Sequence, residues 1–162
     1  RNIQQLDLSK KYPNRRVLGV IRPTAEVIGH FTTQKHVGVM GTRGTINSGS
    51  YPIEINRFFP EITVHQQSCP MWVPLIENGE HEGPGADYFV TKYINELLEQ
   101  SDRVDCILLA CTHYPLLIPK IADNLPTGIK ILVQGDIVAA SLVNYLERHP
   151  SMEKRLGRSE IL

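Results

Sequence analysis

The chain has no apolar stretch long enough to span a bilayer, no run of charge of one sign and no Cys-x-x-Cys pair. Each absence removes a class of function. A membrane-crossing helix needs about 20 mostly apolar residues, and no signal-peptide pattern stands at the start, so no membrane partner is expected. Lysine plus arginine and aspartate plus glutamate each number 17, for a formal net charge of +0. The electrostatic footprint of a nucleic-acid binder is therefore missing. Three cysteines without ligand spacing argue against a disulfide framework and a zinc site, and for a reducing, cytoplasmic setting. His81-Glu82 lacks the second histidine of a His-Glu-x-x-His motif, and His30, His36, His65 and His149 share no ligand pattern. No metal is expected.

What the chain does have is apolar runs of strand length alternating with amphipathic stretches of helix length. Strands are expected over residues 17–21, 37–40, 62–66, 104–110 and 129–133, and helices over 24–32, 45–58, 86–100, 119–125 and 137–148. The alternation predicts an α/β fold with a mostly parallel sheet and helices on both faces. Pro52 is expected to end or kink the 45–58 helix, and Pro119 to separate one turn at 115–118 from the helix behind it. Tyr88, Phe89, Tyr93, Ile94, Leu97 and Leu98 recur at helical period and read as a core stripe. Residues 78–85, rich in glycine, read as a loop.

The chemistry-bearing stretch is Cys111-Thr112-His113-Tyr114-Pro115, directly behind the apolar run Cys106-Ile107-Leu108-Leu109-Ala110. That run reads as a buried parallel strand, and Pro115 suits the start of a helix. Cys111 then stands where open α/β sheets bind ligands and where a helix end favours a thiolate. A free thiol titrates near ~8.5, so a small downward shift yields a base or nucleophile at neutral pH. Thr112 adds a hydroxyl and His113 an ionisable imidazole. The ordinary use of a free cysteine is packing, and that is the reading for Cys106, inside the strand, and for Cys69, ahead of Pro70. Upstream, Thr42 and Thr45 lie in the turn Gly41-Thr42-Arg43-Gly44-Thr45, ahead of a helix. A threonine there caps the helix, and the same free N–H groups can hold an anion. Both readings stand.

The run Ala110-Cys111-Thr112-His113-Tyr114-Pro115-Leu116-Leu117 resembles the second catalytic-cysteine motif of the glutamate racemases. Gly38-Val39-Met40-Gly41-Thr42-Arg43-Gly44-Thr45-Ile46-Asn47-Ser48 is similar to that family's Gly-Thr-x-Gly-Thr loop behind a strand. Cys69-Pro70-Met71-Trp72-Val73-Pro74-Leu75-Ile76-Glu77 resembles its Cys-Pro-x-x-Val-Pro-Leu segment ending in an acid. Val17-Leu18-Gly19-Val20-Ile21, followed by Pro23, is similar to the strand that opens its second domain. The motifs keep the family's order and span most of the chain. One departure is Thr24, where the family has glycine after the proline. The family's Asp-Ser turn and its Cys-Asn-Thr motif, which holds the other catalytic cysteine, are not found. Cys69, which precedes Pro70 and Met71, does not replace the latter.

The resemblance implies a cofactor-independent interconversion of L- and D-glutamate for peptidoglycan synthesis, without pyridoxal phosphate. Cys111 would be the acid/base on one face of the substrate, with Thr112 and His113 touching it and His113 also tuning the thiol. Thr42 and Thr45 would line the pocket for the substrate carboxylates, and Glu77 would support His113. The resemblance also implies a two-domain, pseudo-symmetric enzyme of which this chain is the downstream part. Residues 1–16, polar and helix-like from Ile3 to Tyr12, would be a tail of the first domain. Residues 17–133 would be the second α/β domain, and 134–162 would return to pack on the first. The chain alone is expected to be inactive. Its partners would be glutamate and the amino-terminal domain, with a homodimer left open. Rival readings are a racemase for another amino or carboxylic acid such as aspartate, and a folded half-enzyme or binding module without catalysis. A third, a Cys-His amidase, lacks a visible third triad member or oxyanion-hole motif.

Overall fold

The computed structural model describes residues 8–13 and 17–157. Its strands are β1 (His36–Gly41), β2 (Thr63–Ser68), β3 (Cys106–Leu109) and β4 (Lys130–Val133), and they form one four-stranded parallel sheet in the order β2-β1-β3-β4. Around it lie α1 (Leu8–Lys11), α2 (Ile21–Val27), α3 (Arg43–Asn47), α4 (Ser50–Phe58), α5 (Trp72–Glu77), α6 (Pro84–Leu98), α7 (Ile118–Asn124), α8 (Gln134–Arg148) and α9 (Pro150–Glu153). Successive side chains of a strand point to opposite faces, so each strand feeds two cores. Val37, Val39, Cys106, Leu108 and Ala110 join Ala25, Tyr51 and Ile55 of α2 and α4. Met40, Ile107 and Leu109 join Trp72, Ile94, Leu97 and Ile121 of α5, α6 and α7. This is the expected α/β sheet with helices on both faces. Gly38 lets α6 lie directly on β1, because a Cβ there would come 2.7 Å from Leu97 Cδ2.

Several expectations change. Residues 17–21 form no strand: 17–19 have no regular structure, Ile21 opens α2, and Val17, Leu18 and Val20 are exposed. An apolar run becomes a strand only where a sheet edge offers it hydrogen bonds, and neither β2 nor β4 pairs with this one. Pro23 sits in the first turn of α2, where its missing N–H has no partner to lose. The helix expected over 45–58 is two helices, α3 and α4. They are separated at Gly49, whose φ of 59° is a left-handed conformation glycine adopts readily. Pro52 therefore falls in the first turn of α4 and breaks nothing. Tyr88 leaves the core stripe at 61% exposure, while Tyr93, Ile94 and Leu97 are buried. A surface helix buries only one stripe of its circumference. The turn and separate helix around Pro119 are present as a 3-10 turn, Tyr114–Leu117, followed by α7. Of the helix-like tail, Leu8–Lys11 is helical. Residues 1–7, 14–16 and 158–162 lie outside the described residues.

Candidate active site

The strand order sets the place. β1 and β3 are neighbours, but the chain leaves β1 toward β2 and leaves β3 toward β4. The connections diverge between them, and the crevice above such a switch point is where open α/β sheets hold ligands. Met40 is in register with Leu109, and the Ala110 N–H donates to Met40 O at 2.8 Å. Thr42 and Cys111 thus emerge on adjacent strands near the same height. The Cys69 N–H, just beyond β2, donates to Gly41 O at 2.8 Å and brings the next loop to that level.

Cys111 is a free, partly exposed thiol in the turn after β3. Its Sγ lies 3.8 Å from His113 Nδ1, and His113 Nε2 lies 3.2 Å from Glu77 Oε1 at the end of α5. Carboxylate, imidazole and thiol form one line. A neutral ring with its proton toward Glu77 presents Nδ1 to accept the S–H. A protonated ring presents an Nδ1–H to a thiolate. The His113 and Glu77 side chains are 36% and 60% exposed, so their pairing adds little stability and acts mainly on ring orientation. The helix amino terminus expected beside Cys111 is a four-residue 3-10 turn, in which few peptide dipoles align. His113 is the group the structure sets against the sulfur.

The other thiols are different. Cys69 and Cys106 are 0% exposed. Burial pushes Cys106 up to about 12, and pushes Cys69 up as well, so neither is a usable base near neutral pH. On the β1 side, Thr42 is the N-cap of α3: its Oγ1 accepts from the Thr45 N–H at 3.3 Å and lies 3.0 Å from Thr45 Oγ1. The capping use of Thr42 is real, and the two hydroxyls hold each other. Thr112 is exposed and has no hydrogen-bond partner among the described residues.

No family model matches the chain. Individual proteins do. A glutamate racemase of Shouchella clausii (strain KSM-K16) is 35% identical over 143 residues, which are 88% of this chain and 51% of that protein. Glutamate racemase isoform RacE1 from Bacillus anthracis superposes with a TM-score of 0.80 at 27% identity, over 91% of this chain and 55% of that one. The Francisella tularensis glutamate racemase, crystallised with D-glutamate, gives a TM-score of 0.77 at 25% identity, over 94% and 54% of the two chains. The chain is a homologue of the glutamate racemases. It spans about half the length of the relatives it matches.

Within this glutamate racemase homologue the residues expected from sequence fall into two groups. Cys111, His113 and Glu77 meet, and Thr42 and Thr45 meet each other. Sequence reasoning passed over Tyr114, which is 0% exposed beneath the Cys111 turn. Its hydroxyl donates to Cys69 O at 3.2 Å, and its ring stands edge-on to Trp72 with centroids 4.7 Å apart. Its place between His113 and Pro115 was the available signal. Gln134 was also passed over. At the start of α8 its Nε2 donates to Thr24 Oγ1 at 3.2 Å, tying the end of β4 to α2.

Proposed function

We propose that this chain forms the Cys111 side of a glutamate racemase active site. One observation carries the reading: of the free thiols only Cys111 is reachable, and it lies at the switch point against a histidine held by a carboxylate. As thiolate, Cys111 takes the α-proton from one enantiomer of glutamate. The S–H bond forms as the C–H bond breaks, and the electron pair stays on the α-carbon and its carboxylate. An acid on the opposite face then returns a proton, which inverts the centre. In the reverse direction the Cys111 thiol is the donor. Protons move only between carbon and sulfur, so the step needs no cofactor. His113 compensates the thiolate charge, Glu77 orients His113, and the hydroxyls of Thr42, Thr45 and Thr112 receive the substrate carboxylates.

Buried Cys69 and Cys106 do not qualify as the opposite acid. In this reading it comes from the other half that the relatives possess. Residues 17–133 are then the α/β unit, and residues 1–16 and 134–162 belong against that half. α8 has no buried residue and exposes Leu142 and Val143, which suits such packing. The product, D-glutamate, feeds peptidoglycan synthesis in the cytoplasm. The test is incubation with D-glutamate in deuterium oxide, with the chain alone and with a relative's complementary half made separately. α-Deuterated L-glutamate is expected only from the mixture, and not with Cys111→Ser. Turnover by the chain alone would remove the need for a second half. No turnover from a mixture that forms a stable complex would remove the racemase reading.

A further inference from the structure

We infer that Tyr114 is a positioning residue for Cys111: its buried hydroxyl locks the turn of residues 111–114 to the segment that carries Glu77. The inference rests on the reading of Cys111 as the acid/base. Tyr114 OH donates to Cys69 O, which also accepts from the Trp72 N–H at 3.3 Å at the start of α5. The Trp72 ring receives the edge of Tyr114. α5 is six residues long and ends at Glu77, which meets His113. The two ends of one short helix therefore hold two consecutive residues of the Cys111 turn, His113 at one end and Tyr114 at the other. Such two-point attachment fixes the approach of His113 Nδ1 to Cys111 Sγ, which a single exposed ion pair does not. Burial raises the phenol's pKa, so it stays a donor throughout the neutral range.

Tyr114→Phe separates positioning from packing. Phenylalanine keeps the ring on Trp72 and removes only the hydroxyl, so a packing role predicts an unchanged site in the folded protein. The readout is the rate at which iodoacetamide alkylates Cys111 in the full chain at pH 6. Cys111→Ser gives the background from the buried thiols. In the parent, His113→Gln should slow alkylation about fivefold, the rate equivalent of ~1 kcal/mol between unit charges about 4 Å apart in water. In the Tyr114→Phe background the same substitution should change the rate less than twofold. An undiminished His113→Gln effect in folded Tyr114→Phe would overturn the inference. Should Tyr114→Phe not fold, Trp72→Phe decides: it keeps the hydroxyl, loosens the ring beneath it, and should also weaken the His113→Gln effect. The assay reads a thiol and not turnover. A stable two-half complex that fails to racemise glutamate would sink the proposed function and leave this result standing on its own.

Discussion

The two ends of the sheet are made of similar side chains used in opposite ways. At the amino end, Asp105 accepts from Thr32 Oγ1, from Thr33 N–H at 2.7 Å and Oγ1 at 2.9 Å, and from Gln34 N–H at 2.8 Å. Burial alone would raise this carboxyl, but the bonds from Thr32, Gln34 and Thr33 outweigh it and bring it to about 2. Arg103 donates to Gln34 O at 3.2 Å, and Lys35 pairs with Glu61 at 2.7 Å. An open hollow of ≈ 750 Å³ lies there, lined by Thr33, Arg103 and Asp105, whose polar groups already serve one another. At the carboxyl end, Thr112 bonds to nothing among the described residues, the Thr42 and Thr45 hydroxyls have each other and one cap bond from the Thr45 N–H, and Cys111 has one weak contact with His113. Hydrogen-bonding capacity spent inside the fold stabilises it. Capacity left unmet at the surface is what a ligand can use.

The sharpest way to break that contrast is at Cys111. In the reassembled two-half enzyme, Cys111→Ser should lower racemisation on the order of 10³-fold, because a serine hydroxyl is no base near neutral pH. Thermal unfolding of the chain should hardly move. A serine variant with near-parental turnover would take Cys111 out of the chemistry.

The converse experiment is at the other end. Asp105→Ala should destabilise the chain by about 2 kcal/mol in denaturant unfolding, through lost charged hydrogen bonds. Alkylation of Cys111 in the folded variant should stay at the parental rate. The acid dependence has a definite sign. Asp105 is lowered from 3.8 to about 2 in the folded state, so its stabilisation is complete above about pH 4 and lost as pH falls toward 2. Asp105→Asn should flatten that part of the profile. If the Cys111 rate changes with Asp105, the ends are not independent and the contrast fails.

Smaller effects should fall within the scaffold. Cys106→Ala should cost on the order of 1 kcal/mol for a lost buried group, with the rate per folded molecule kept. A folded variant that has selectively lost activity would contradict a packing role for Cys106. The smallest change expected concerns His65, whose Nε2 lies 3.0 Å from His36 Nδ1, which in turn lies 3.2 Å from Ser101 Oγ. Burial and then His36 depress His65 below its ordinary value. The neutral form is thus favoured in the fold, and stability should decline as pH drops through 6.5 and below. His65→Gln should make stability less sensitive to pH in that window, as read by melting temperature across pH.

Much of this was legible because it is local. The β1, β3 and β4 runs are short, largely apolar and bounded by turn residues, and the odd and even positions of 106–110 show by composition alone that both faces are covered. Cys111 was legible as a junction thiol, and Cys106 as a buried one, from their places relative to the same run. The expected strand at 17–21 failed because pairing depends on a neighbour that no local pattern describes. α5 was passed over because its segment, Trp72 to Glu77, contains Pro74 and is too short for a helical period to show. Tyr114 looked like any aromatic near a helix start. Only the position of Cys69 O makes its hydroxyl matter.

Residue order alone settled the chemical inventory of this chain: a thiol behind a buried strand with an imidazole two residues on, a threonine-glycine turn behind another strand, and an acid at the end of a third motif. These follow from spacing along the backbone, which the sequence states directly. Which strands became neighbours was decided by the tertiary structure. The order β2-β1-β3-β4 sets the turn after β1 beside the turn after β3, and the packing of α5 sets Glu77 against His113. Both depend on burying apolar faces between segments far apart in sequence, a collective property that no single motif carries.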